Sequence, residues 1–216
     1  MKTPKRPVSI KETMSNGILF EATCGNKKLP TSTMIINMGS ATDCPSDKLG
    51  LCSMGRINGD GSCYALKAEI QYPDCRPYRN RQEIMWKKSS ARVLTETILK
   101  VLKTRPYITA IRFNESGDFH STNCINKLSE IASQIPIPVY AYTHRYDIFT
   151  EDVTKNLNQN LTINFSTEMG FNHNHNEFRL TTDVKDTVDS IPCISDCSVC
   201  SMCVHRNSAV MTIDKH

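Results

Sequence analysis

The sequence predicts an α/β protein: a parallel sheet that curls toward a partial (β/α) barrel and carries a cysteine-rich, cluster-binding C-terminal tail. Three observations predict it. From residue 107 onward, short β-branched runs alternate with helical patterns, the rhythm of βα units on a parallel sheet. Right-handed crossovers between such units curl the sheet toward an open barrel. The third observation is "CISDCSVCSMC" (193–203), where four thiols crowd near the end of the sequence.

Residues 1–29 read as an N-terminal arm, 30–184 as the βα domain with a three-cysteine loop, and 185–216 as a cysteine-rich tail packed on the same domain. "TSTMIINMGS" (31–40) is a short buried strand that ends in Gly and Ser. A Gly-, Asp- and Ser-rich loop without apolar periodicity follows it. "CYALKAEIQ" is helical. "RNRQEIMWKKSSARVLTETILKVLKTR" (79–105) reads as one amphipathic helix, with Leu94, Ile98, Val101 and Leu102 on one stripe and Pro106 closing it. "YITAIRF" (107–113) is a strand, and "TNCINKLSEIASQI" (122–135) a helix with Ile125, Leu128, Ile131, Ala132 and Ile135 on one face. "PVYAYT" (138–143) and "LTINFST" (161–167) are strands around a short helix, "TEDVTKNLNQ" (150–159), and "FRLTTDV" (178–184) is a candidate further strand.

In such sheets, ligand-binding groups collect at the C-terminal ends of the strands. Four polar clusters fall there: the Cys44/Cys52/Cys63 loop, "NESGDFHS" (114–121), "THRYD" (143–147) and "STEMG" (166–170). They are expected on one rim.

Composition narrows the function classes. The 216 residues suffice for one domain, 39% hydrophobic and 22% charged, an ordinary globular balance. A net charge of +4 is too mild to require a nucleic-acid partner. No run of 18 apolar residues suggests a membrane span. The basic start "MKTPKRPVSIKETMSNG" lacks the apolar stretch of a secretory signal, so a cytoplasmic location is expected. In that reducing compartment ten cysteines point to metal or catalysis rather than disulfides.

The tail cysteines, Cys193, Cys197, Cys200 and Cys203, are spaced C-x3-C-x2-C-x2-C. Structural zinc sites usually present two close pairs across a longer gap, which is missing here. Runs of C-x2-C-x2-C match the spacing that wraps an iron–sulfur cubane, so a 4Fe–4S cluster is favoured and zinc is the alternative. Cys193 either completes that cluster or serves another. The front group, Cys44, Cys52 and Cys63, offers three thiolates, which leave one iron of a cube open to substrate or cofactor. Cys63 also reads as a small buried hydrophobe at the start of its helix. Cys24, Cys75 and Cys124 look like singletons, with Cys124 in the core. His173 and His175, in "FNHNHNEF", read more simply as an exposed loop than as ligands.

The segments "CPSDKLGLC", "CYALKAEIQYP", "RFNESGDFHS", "VYAYTHR" and the tail closing on "AVMTIDKH" resemble, in order, the phage "gene product 88" family over about residues 30 to 216. A second resemblance is to radical S-adenosylmethionine (SAM) enzymes: a three-cysteine loop after the first strand, an aromatic after the last cysteine (Tyr64), and Ser116-Gly117-Asp118 where those enzymes place a Gly-Gly-Glu-like segment. Both cysteine gaps are expanded relative to that family. The resemblance implies that Cys44, Cys52 and Cys63 hold a cluster, and that Gly117 and Asp118 take the SAM amino group. It leaves Thr143, Arg145 and Ser166 for the SAM carboxylate and ribose. Asp118, His120 and Arg145 then become the catalytic candidates, the tail cluster a relay fed by a reductant protein, and the substrate is left undefined. The competing expectation is a non-enzymatic iron–sulfur or zinc protein that binds nucleic acid through "RPYRNRQEIMWKK" (76–88), whose Arg, Lys, Tyr and Trp suit phosphates and stacked bases.

Overall fold

A computed structural model describes residues 3–166, 169, 171, 173–180 and 190–213. Among them the chain forms one mixed sheet of nine strands, mostly parallel, with six helices. The strand order is β1-β2-β3-β4-β5-β6-β7-β9-β8.

The stretch expected to be an arm is part of the sheet. β1 (Val8–Thr13) and β2 (Leu19–Cys24) form an antiparallel hairpin around Gly17, whose φ of 78° suits a residue without Cβ. β2 then pairs antiparallel with β3 (Thr33–Ile36). The signal was the alternation in "VSIKET" and "LFEATC", which places Ile10, Phe20 and Ala22 in the core.

β3, β4 (Ala110–Phe113), β5 (Val139–Thr143), β6 (Leu161–Phe165) and β7 (Asn176–Leu180) follow in chain order, each parallel to the last. Between β3 and β4 lie α1 (Pro45–Lys48), α2 (Tyr64–Gln71), α3 (Cys75–Lys88) and α4 (Ala91–Thr104); α5 (Thr122–Gln134) links β4 to β5, and α6 (Glu151–Lys155) links β5 to β6. The single helix expected over 79–105 is two helices. Ser90 ends one and caps the next, its side chain accepting from the Val93 N–H at 3.3 Å. The last parallel strand begins two residues earlier than the sequence pattern indicates, and 181–184 of that expectation fall outside the described residues.

Strand alternation sorts the two faces. Ile111, Phe113, Val139, Ala141, Ile163 and Phe165 join Leu94, Ile98, Ile125, Leu128 and Ile131 of the helices in the main core. Tyr142 and Phe178 point the other way, into a smaller cluster with Met211, Met202 and Cys203. Of residues 190–213, β8 (Ile191–Pro192) and β9 (Val210–Ile213) extend the sheet, and a 3-10 turn (Met202–Val204) lies against that second face. With both faces covered, every residue of β6 is buried. Among the described residues, no helix is long and apolar enough to cross a membrane.

A candidate two-part thiol site

The front thiols stand on the rim at the C-terminal ends of the parallel strands. Cys44 immediately precedes α1 and Cys63 precedes α2, while the Cys52 carbonyl accepts from Gly55 N–H (3.0 Å) and Cys63 N–H donates to the Met54 carbonyl (3.1 Å). Beneath them sits Asp118, 3% exposed. One of its oxygens accepts from the Thr143 hydroxyl (2.7 Å) and its own neighbour's N–H, that of Phe119 (2.8 Å). The other accepts from the His144 N–H (2.9 Å) and the Ser46 hydroxyl. Burial, reinforced by the Asp118 carboxylate, pushes the Cys44 thiol up to about 12. Burial also pushes Cys52 up to about 11, with Cys63 and Asp118 adding to it. These sulfurs therefore hold protons at neutral pH unless a cation displaces them.

The loops meet through backbone as well. Gly117 has φ of 72°, and a Cβ there would stand 2.8 Å from the Gly39 carbonyl oxygen. Ser116 N–H donates to Asn37 (2.8 Å), which itself donates to the buried Gln82 (2.8 Å). Glu69, 8% exposed, accepts from the N–H groups of Ala41 (2.7 Å) and Thr42 (3.1 Å) and from Arg79 (2.9 Å). Sequence reasoning missed Glu69 and Arg79 because a Glu and an Arg on surface-like helices look solvated; only the fold brings them together.

Three of the four polar clusters thus share one rim, joined at Asp118. The fourth touches it through Ser166, whose N–H donates to the Thr143 carbonyl at 2.8 Å; residues 167, 168 and 170 lie outside the described part. Arg145 is 5% exposed. It grips both oxygens of Asp147 (2.7 and 3.0 Å) and the carbonyls of Phe119 and His120, so four of its five N–H donors are spent. Arg145 and His120 line a cavity of about 590 Å³ together with Lys48, Asn80, Glu83 and Lys87. His120 contacts the Met38 carbonyl (3.3 Å) and Glu83 (3.6 Å).

The tail turn sits on the second face of the sheet, where Cys203 joins the cluster of Tyr142, Phe178 and Met211. Two asparagines hold their turn: Asn164 donates to the Cys203 carbonyl (2.9 Å), and Asn176 donates to the carbonyls of Met202 (3.2 Å) and His205 (3.0 Å). Arg206 adds a bond to the Leu161 carbonyl (2.8 Å). Cys197 and Cys203 each lie within electrostatic reach of the other tail thiols. Burial pushes the Cys203 thiol up to about 11; a hydrogen bond from Tyr142 opposes this, and Cys197, Cys193 and Cys200 reinforce it. Burial raises Cys197 as well, and the Arg112 guanidinium pulls it back. Arg112 lies over the Tyr142 ring, 4.7 Å from its centroid. Among the described residues, no three Cys, His, Asp or Glu side chains are arranged as ligands of a single metal ion.

The remaining candidates are placed as follows. Cys24 is fully buried in β2, Cys75 opens α3, and Cys124 is only half-buried at the edge of the core. His173 and His175 are not an exposed loop. His175 is 1% exposed and accepts from the Ile163 N–H (3.1 Å), while His173 pairs with Glu177 (3.0 Å), because both rings pack on Phe165. In the 76–88 segment Trp86 is 1% exposed and packs edge-on against Phe113, Arg79 is buried on Glu69, and Arg81 is held by Glu21 at 2.6 Å. Trp86 therefore offers no face for a base.

No curated protein and no solved structure matches the chain. The family model described as Gene product 88 matches residues 10–191, which takes in the hairpin, every parallel strand from β3 to β7 and the rim built on Asp118, and the chain belongs to the gene product 88 family.

Proposed function

We propose that this is an iron–sulfur protein with two centres: Cys193, Cys197, Cys200 and Cys203 hold one 4Fe–4S cluster on the second face of the sheet, and Cys44, Cys52 and Cys63 hold a second on the rim. The observation that carries it is the tail geometry. Four thiols within eleven residues, with a guanidinium in electrostatic reach of Cys197 and a tyrosine hydroxyl on Cys203, suit an anionic metal–thiolate centre. The thiol spacing, with no long gap between two close pairs, supports a cluster over zinc. The unreversed order β3 to β7, with crossover helices on one face, supports the partial-barrel reading, whose inner face the tail would fill.

When bound, such clusters supply electron storage, and at the front an iron without a protein ligand. The chain's own residues do the rest. Asp118 fixes the three loops that carry or face the front thiols. Arg145 and His120 shape the adjoining cavity, where a substrate would stand. SAM fits these residues poorly. Asp118 already has about the four donors a carboxylate accepts, the Thr143 hydroxyl is spent on Asp118, and Arg145 has one N–H left.

Anaerobic purification followed by iron, acid-labile sulfide and zinc analysis tests the proposal. A brown protein carrying iron and sulfide is expected; stoichiometric zinc without sulfide overturns it. Serine at Cys197, Cys200 or Cys203 should also lower the melting temperature, since metal binding is coupled to folding.

A further inference from the structure

Between the two thiol groups runs a short path of side chains that neither group accounts for. Tyr64 follows Cys63 directly, and its hydroxyl donates to the Glu115 carbonyl (2.7 Å). Arg112, on β4, donates through Nη2 to that same hydroxyl at 3.3 Å. Its guanidinium then lies over the Tyr142 ring, and Tyr142 packs against Cys203. Arg112 is half-buried, and its Nε is out of water without a hydrogen-bond partner. No ion pair to Arg112 is present among the described residues, whereas Arg79, Arg81 and Arg145 each have a carboxylate. The Glu115 carboxylate acts on Arg112 from beyond ion-pair distance, and a guanidinium in this setting favours further negative charge nearby.

We propose that Arg112 is the shared counter-ion of the two cysteine groups, facing the tail thiolates across Tyr142 and the front group across Tyr64. This rests on the iron–sulfur reading. Its consequence is that both centres are held more tightly by one cation. A single substitution in a strand that contributes no cysteine should therefore loosen two sites, one on the rim and one on the second face of the sheet.

Two full-length proteins separate the sites: a tail-only chain with serine at Cys44, Cys52 and Cys63, and a front-only chain with serine at the four tail cysteines. Each is reconstituted anaerobically with ferrous iron and sulfide, and iron loss to a ferrous chelator is timed. Arg112→Met should speed loss from the tail-only chain about tenfold or more, the usual cost of removing an outer-shell partner. Loss from the front-only chain should also quicken, by a smaller factor, and Arg112→Lys should recover part of both effects. Tyr64→Phe should change the front-only chain alone. If Arg112→Met alters only one chain, or if Lys behaves as Met does, the shared counter-ion is refuted while the iron–sulfur reading stands. That reading is decided separately by the metal and sulfide content of the unsubstituted protein. Should the four-serine chain fail to fold, the same substitutions in the ten-cysteine chain decide the matter. Both phases of iron loss must then accelerate with Met, and a change in one phase alone refutes the proposal.

Discussion

At Asp118 one carboxylate gathers donors from three segments: Ser46 from α1, Phe119 from its own turn, and Thr143 and His144 from the end of β5. Asp118→Ala strands all four donors in a buried place, so a loss of at least about 3 kcal/mol is expected in urea unfolding. His175 makes a separate prediction about acid. Burial holds its imidazole down at about 3, with Arg206 and His173 adding to the effect. An unfolded histidine titrates near 6.5, so below that pH the unfolded chain takes up a proton that the native chain refuses. Stability is full above about pH 6.5 and drains as pH falls toward 3, by about 2 kcal/mol at pH 5. His175→Gln should remove that part of the slope, measured as unfolding free energy between pH 7 and 5. Neither role could be read from the letters. Asp118 sits in a Ser-Gly-Asp turn and His175 in an Asn-rich run, and both contexts describe a solvated loop until the sheet closes over them.

The elements were more legible than their ends. The stripe of Leu94, Ile98 and Val101 and the face of Ile125, Leu128 and Ile131 gave α4 and α5 their places, because a 3.6-residue period needs no tertiary partner to be visible. The break at Ser89-Ser90 was hidden because two serines interrupt a helical pattern only weakly; the capping bond to Val93 decides it. Ser90→Ala should cost about 1 kcal/mol, seen as a lower melting temperature and faster amide exchange in the first turn of α4. The "SGD" turn carries a stronger constraint. Gly117→Ala needs a left-handed backbone at 72° and pushes a methyl into the Gly39 main chain. A loss of about 2 kcal/mol or more is expected. Because the two turns belong to the rim, the front thiols should become more reactive toward iodoacetamide in the same variant.

For the molecule as a whole, the sequence located both cysteine groups and the shared rim, yet it did not reveal that the tail turn packs against the second face of the sheet. That follows from Asn164 and Asn176, whose side chains take hold of carbonyls in the Met202–His205 turn. An Asn in a strand is unremarkable by propensity, and its partner lies 26 or more residues away. Asn176→Ala should release the turn: faster amide exchange at residues 202–205 and a loss of about 2 kcal/mol, with the rim around Asp118 unchanged by the same measurement. If the rim exchanges faster as well, the two faces unfold together.

Placing the tail over β4 to β7 also sets an order of events on the ribosome. The strands that carry Arg112, Tyr142, Asn164 and Asn176 are synthesised before residues 190–213 exist. For that interval the face is bare, and the front thiols are already in the nascent chain while their counterparts are not. That face has a window of exposure that closes as the last segment emerges. A gene slowed by rare codons just after residue 180 would hold that window open, and one truncated there would leave it open permanently.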